Sequence, residues 1–171
     1  MAKPALSSIP EFYHKYVKLV EEDNASSALE KNSESLRSFL QAIPEEKWDF
    51  RYAEGKWSIK ELVQHMIDTE RIFSYRALCI ARGEKQSLPG FDENLYAANS
   101  QGDRRSKTEL VTEFSAVRTA TKLLFASFTE EQLTSTGQAN NNPISVNGIA
   151  FITVGHVLHH LNILRERYLV A

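Results

Sequence analysis

Two helix starts of one chemical kind, Ser58-Ile59-Lys60-Glu61 and Ser106-Lys107-Thr108-Glu109, constrain the fold of this chain more than any other feature. In each, the serine hydroxyl can accept from the amide of the glutamate three residues on, and the glutamate side chain can reach back: a capping box. Apolar residues then follow at helical spacing. The first start predicts a helix over about 58–82, with Arg82-Gly83 as its stop. The second, with Leu110, Val111, Phe114, Val117, Thr121, Leu124 and Phe128 behind it, predicts a helix over about 107–128.

The same period recurs elsewhere. Phe12, Tyr13, Tyr16, Val17, Leu19 and Val20 predict a helix over about 11–22, and Ala28, Leu29, Leu36, Phe39, Leu40 and Ile43 another over 25–43 that Pro44 stops. Ser145 is an N-cap for a last helix over about 146–169. Thr129-Glu130-Glu131-Gln132 caps a short turn, and Gly137–Pro143, with Asn140-Asn141-Asn142, reads as a loop. Leu88-Pro89-Gly90-Phe91-Asp92 is a turn-rich excursion before a further helix, long enough to carry function. Seven glycines and five prolines are too few for an all-β sandwich. The expected architecture is all-α, a four-helix bundle with an extra N-terminal helical segment.

Length fits this. At roughly 150 residues per domain, residues 1–171 make one domain, and a chain of that size buries about 70% of its unfolded surface without needing staples. Cys79, the one cysteine, excludes an intramolecular disulfide framework and a cysteine-rich zinc fold. Twenty basic against 22 acidic residues give a net charge of −2, so nucleic acid is disfavoured as a partner. Met1–Pro10 lacks a long apolar region and no run of roughly 18 apolar residues occurs, so no membrane segment is expected. The setting implied is cytoplasmic.

Four of the five histidines fall on two of these helices: His65 on one, and His156, His159 and His160 on the last. Residues 156 and 160, four apart, stack on one helix face about 6 Å from each other, close enough to share an ion. His65, mid-helix beside Leu62, Met66 and Thr69, is the candidate third ligand. Three neutral imidazoles with positions left for water would make a catalytic type of site. The alternative is that these are half-buried histidines bonded to nearby carbonyls. His159, about 100° round the helix from its neighbour, reads as a supporting or surface residue, and His14 as a surface one.

Gly55-Lys56-Trp57-Ser58-Ile59-Lys60-Glu61-Leu62-Val63-Gln64-His65-Met66-Ile67-Asp68 and Gly155-His156-Val157-Leu158-His159-His160 resemble the two motifs of the DinB-like (YfiT-like) superfamily. Glu70–Arg76, Leu88–Asp92 and Arg165–Leu169 are similar to one bacterial branch of it, so the resemblance covers about residues 25–170. It implies an up-down-down-up four-helix bundle, frequently a homodimer, with His65, His156 and His160 holding a divalent metal at one end. Zinc or nickel come first, with manganese or iron as alternatives. After His160 stands Leu161-Asn162-Ile163, where the commoner family ending has Arg-Gly-Gln, so substrate contacts from that segment are not carried over.

The resemblance further implies a metal-dependent enzyme acting on a small molecule, first a thiol-dependent S-transferase using a low-molecular-weight thiol. A metal-dependent hydrolase is the runner-up, and a non-catalytic metal-binding stress-response module the alternative from another class. Asp68, Glu70 and Asp92 could each orient an imidazole or take a proton, with Asp92 preferred as the catalytic carboxylate because it sits in the long loop. Arg76, Arg82 and Arg118 could bind an anionic group, although ion pairing within the bundle is the favoured reading. Cys79 is expected to pack as a small apolar residue, and Trp48 and Trp57 to anchor core or loops.

Overall fold

The structure, a computed structural model, describes residues 2–170. Its elements are α1 (His14–Val17), α2 (Ala25–Ala42), α3 (Ile59–Ala81), α4 (Glu93–Asn99), α5 (Lys107–Ala126), α6 (Glu130–Thr134), β1 (Thr136–Ala139), β2 (Asn142–Ser145) and α7 (Val146–Ile163). Both capping boxes form. The Glu61 amide donates to Ser58 Oγ over 3.1 Å while the Ser58 amide donates to Glu61 Oε2 over 2.8 Å, and Ser106 and Glu109 repeat the exchange. Asn24 caps α2 through the amides of Ser26 and Ser27, and Pro44 ends it. Ser145 caps α7, which passes into a π-helical turn at Leu164–Tyr168.

The long helices α2, α3, α5 and α7 form a four-helix bundle in which α3 and α2 lie across the diagonal, each packed between α5 and α7. Side-chain pairs fix their directions. Lys107 at the start of α5 donates to the carbonyls of Gln41 and Ile43 at the end of α2, so these two run antiparallel. Along α3 and α5, Gln64 meets Arg105, Glu70 meets Arg118 and Ser74 meets Thr121, so this pair is parallel. His65 early in α3 meets His156 and His160 late in α7, so those run antiparallel. Up-down-down-up is the only order that satisfies all three.

Every residue of α7 from Val146 to Val157 is buried, because α1, α2 and α3 all pack against it. A helix covered all round needs an apolar surface all round, which this sequence supplies. The apolar core divides into two clusters, one around Phe73, Phe151 and Ile152 and one around Trp48, Met66 and Leu161. Buried polar groups cross the bundle where the clusters meet. Arg118 grips Glu70 bidentately, Nε to Oε1 at 2.8 Å and Nη2 to Oε2 at 2.7 Å, and donates to Asn32 Oδ1 at 2.6 Å. Fully paired in this way, the charges fix how α2, α3 and α5 dock without being left unsatisfied.

Two expectations need correction. The helix expected over 11–22 shrinks to a 3-10 turn at Glu11–Tyr13 and the single turn of α1. Beyond it, Lys3 donates to the Val20 and Asp23 carbonyls through its ammonium and amide, and Ala2 bridges to Asn24, holding the chain in an extended path that a helix cannot follow. The expected loop at Gly137–Pro143 is a hairpin, β1 antiparallel to β2, with Ala139 opposite Asn142. Asn140 and Asn141 both take positive φ, 50° and 58°, the geometry of a two-residue hairpin turn that asparagine tolerates. Leu88 adds to β1 as a short parallel bridge, which ties the 84–92 excursion to the hairpin.

Gly155 is where the N-terminal segment closes on the bundle. A Cβ there would stand 2.2 Å from the Tyr16 carbonyl oxygen, inside backbone that cannot swing aside. Gly155→Ala is expected to lower unfolding free energy by about 1–3 kcal/mol through overpacking, read from urea titration. A variant as stable as wild type would mean α1 does not seat on α7.

Candidate metal centre

His65 comes from the second turn of α3, and His156 and His160 from successive turns of α7, so the antiparallel packing of these helices brings all three to one point. Their buried side chains offer one nitrogen each, all within 4.8 Å of one another. His156 Nε2 lies 3.1 Å from both His65 Nε2 and His160 Nε2. A neutral imidazole has one N–H and one lone pair. A single central nitrogen therefore cannot make two well-formed hydrogen bonds while its partners also aim their Nε2 atoms at it.

Charge does not resolve this crowding. Burial pushes the His65 imidazole down to about 4, and burial followed by the neighbouring imidazoles holds His156 and His160 well below the ordinary histidine range. The cluster is neutral at pH 7. Three uncharged nitrogen donors converging at this spacing suit a divalent transition ion, since metal–nitrogen distances of about 2.0–2.1 Å in tetrahedral geometry separate the donors by about 3.3 Å. The donor set therefore fits a metal, with no fourth protein ligand among the described residues.

The imidazoles close one end of a cavity of about 520 Å³. Trp57 lies against the His65 ring, with centroids 4.8 Å apart, and Tyr16 meets His156 and His159 edge-on. Phe73 contacts His156 with its edge at 6.0 Å between centroids. Burial, then Glu93, pushes the Tyr16 phenol up to about 12, so it remains a hydrogen-bond donor. Thr69 and Arg76 also line the cavity, as do the exposed Glu11, Lys15 and Glu93 at its mouth.

Residues 28–164, spanning all three histidines, match the DinB superfamily. The chain belongs to the DinB superfamily. Its fold is that of YfiT from Bacillus subtilis, described as a probable metal-dependent hydrolase with an unusual four-helix bundle topology, at 17% identity and TM-score 0.73, over 96% of this chain and 90% of that one. A mycothiol-dependent maleylpyruvate isomerase is similar at 11% identity and TM-score 0.67, over 93% of this chain, which spans 62% of the isomerase. The DinB-like protein YjoA of Bacillus subtilis follows at 18% identity and TM-score 0.59, over 82% of this chain and 86% of that one. No functionally curated protein matches the chain.

Within this DinB-superfamily site the sequence-derived carboxylates lie elsewhere. Asp92 is exposed and caps α4, accepting from the amides of Asn94 and Leu95 at 2.9 and 3.0 Å. Glu70 is committed to Arg118, and Asp68 accepts from Gln64 at 2.9 Å. None touches an imidazole, and the buried His160 Nδ1 has no partner among the described residues. His159 sits beside the cluster against Tyr16, and His14 bonds the Ile9 carbonyl. The sequence reading missed Trp57, Tyr16 and Glu93 as lining residues. Thr69, Phe73 and Arg76 were findable, since steps of four, four and three from His65 put them on its face of α3.

These depressed imidazoles have a pH consequence. Unfolded histidines titrate near 6.5, so below that pH the unfolded state of the metal-free protein binds protons that the folded His65 refuses until about 4. Stability present above pH 6.5 is therefore lost as pH falls through this window. The midpoint of thermal unfolding of chelated protein should drop steadily from pH 7 to 4, and less steeply in His65→Gln. Equal slopes would show that His65 is not buried as a neutral ring.

Proposed function

We propose that this chain is a divalent-metal-dependent enzyme that presents a low-molecular-weight thiol to a small electrophile, an S-transferase type of reaction. The observation that carries this reading is the convergence of three neutral imidazoles at the buried end of an open cavity, without a fourth protein ligand among the described residues. A site sealed by protein would suit a structural metal, and an open one suits turnover. His65, His156 and His160 would hold the ion, with zinc and nickel among the metals that imidazole suits. Bound there, such an ion supplies a Lewis acid that lowers the pKa of a coordinating thiol or water.

The chain's own groups would do the rest. The aromatic walls, Trp57, Tyr16 and Phe73, limit water around a reacting sulfur, and the Tyr16 hydroxyl can donate to an oxygen that gains charge. No carboxylate contacts the imidazoles, which favours a nucleophile that ionises without a positioned base, as a thiol does more readily than water. The mycothiol dependence in the isomerase's name supports the same choice. A hydrolase is the second reading, favoured by YfiT's description and by Glu11 and Glu93 in the cavity wall. In that case Glu93 is better placed than Asp92 to accept water's proton.

A homodimer and a cytoplasmic setting complete the proposal, with the exposed Tyr75, Leu95 and Tyr96 on α3 and α4 as an apolar surface for a second copy. No helix among the described residues is long and apolar enough to cross a membrane.

The test is a panel of thiols with a chromogenic aryl halide, run beside a panel of esters and amides on metal-loaded protein. Thiol transfer is expected, falling by about 100-fold or more in kcat/KM on His160→Ala. Turnover of esters alone would support the hydrolase, and metal-independent or absent turnover of both panels would contradict an enzyme at this site.

A further inference from the structure

Arg76 is a buried cation without a counter-ion. The residue has a relative exposure of 3%, yet no carboxylate lies within ion-pair distance among the described residues. The contrast with Arg118, equally buried and gripped by Glu70, is direct. Arg82, the third arginine singled out in the sequence, instead rests over the Phe128 ring. For Arg76 one hydrogen bond is made, from Nη2 to the Pro89 carbonyl at 2.6 Å, and its Nε–H has no acceptor. The rings of Phe73 and Phe91 each lie 5.9 Å from the guanidinium carbon.

Leaving a charge buried and unpaired is costly, so the arrangement calls for an anion. The guanidinium lines the same cavity as the three imidazoles, and the carboxylates there, Glu11 and Glu93, are exposed at the mouth and make no ion pair with it. One turn after His65, the buried Thr69 hydroxyl is likewise without a partner and lines the cavity. Phe73 stands between, touching His156 on one side and Arg76 on the other. Thus one stripe of α3 carries an imidazole of the cluster, a free hydroxyl, an apolar wall and a free guanidinium in succession.

We propose that the Arg76 end of the cavity is a carboxylate subsite, so that the small molecule accepted here is an organic acid whose apolar body lies along Phe73 and whose other end faces the imidazoles. A planar carboxylate matches the guanidinium fork. One buried guanidinium suits one negative charge; the other cation lining the cavity, Lys15, is exposed at the mouth. The subsite stands on Arg76 alone; only the placing of the reactive end rests on the proposed metal-dependent function.

The probe is 3-phenylpropionate against its neutral amide, titrated into chelated wild type, Arg76→Gln, Arg76→Lys and His65→Ala, with binding read from Trp fluorescence and thermal shift. Binding of the acid and not the amide, retained in His65→Ala and weakened about tenfold or more in Arg76→Gln, is the expected result, since hydrogen bonds to charged groups are worth that much. Arg76→Lys should keep part of it. Acid binding lost in His65→Ala but kept in Arg76→Gln would put the carboxylate at the imidazoles and overturn the subsite, as would equal or absent binding of acid and amide. Should Arg76→Gln fail to fold, the Nε–H resonance of Arg76 in the wild type decides. It must shift with the acid and stay still with the amide, and a resonance unmoved by the acid refutes the proposal. Metal binding can fail altogether without changing any of these outcomes.

Discussion

Three imidazoles packed nitrogen to nitrogen, with no carboxylate between them, are the arrangement on which the site's chemistry depends. Protonating any of them places a charge in a buried space beside two rings that cannot disperse it, and leaving all neutral lets only one of the two 3.1 Å contacts be a well-formed N–H···N hydrogen bond. A divalent ion held by the three nitrogens would remove the conflict by giving each lone pair the same partner. The packing of α3 against α7 brings the three rings together, so the centre and the fold are coupled.

That coupling reaches outward along both helices. On α7, Gly155 lets the Tyr16 backbone approach the turn that carries His156, so the N-terminal segment walls the cavity as well as covering the core. On α3, the face that begins with His65 continues through Thr69 and Phe73 to Arg76. Glu70 stands on a different face of α3 and docks α5 through Arg118. One helix thus separates its structural charge from its unpaired one: Glu70 is consumed by the bundle, and Arg76 faces the cavity. The hairpin and the Leu88 bridge complete the enclosure by bringing Phe91 and Asn140 to its edge.

The helices were legible because their signals are local. Capping boxes at Ser58 and Ser106, and the stop at Pro44, lie within one turn of the ends that they set, and the observed helices begin and end within a few residues of those positions. The histidine pair on α7 was legible in the same way, by spacing. Its meeting with His65 was not, because nothing local encodes which helices become neighbours; the family resemblance supplied that pairing. The 11–22 segment misled because its apolar period is real but serves a single turn laid on α7, with Lys3 and Ala2 drawing the rest into an extended path. Asp92, a carboxylate in a long loop, has a local use in capping α4 that sequence position does not distinguish from a catalytic one.

The most direct test is the metal content of protein purified without an affinity-metal column, measured by elemental mass spectrometry on wild type, His65→Ala and His160→Ala. Near one equivalent of a divalent transition ion in wild type, lost in both variants while circular dichroism shows them folded, is the result that follows from three converging neutral imidazoles. Wild type that contains no such ion and takes up none from zinc, nickel, manganese or iron(II) would contradict the account and leave the histidines as packing residues.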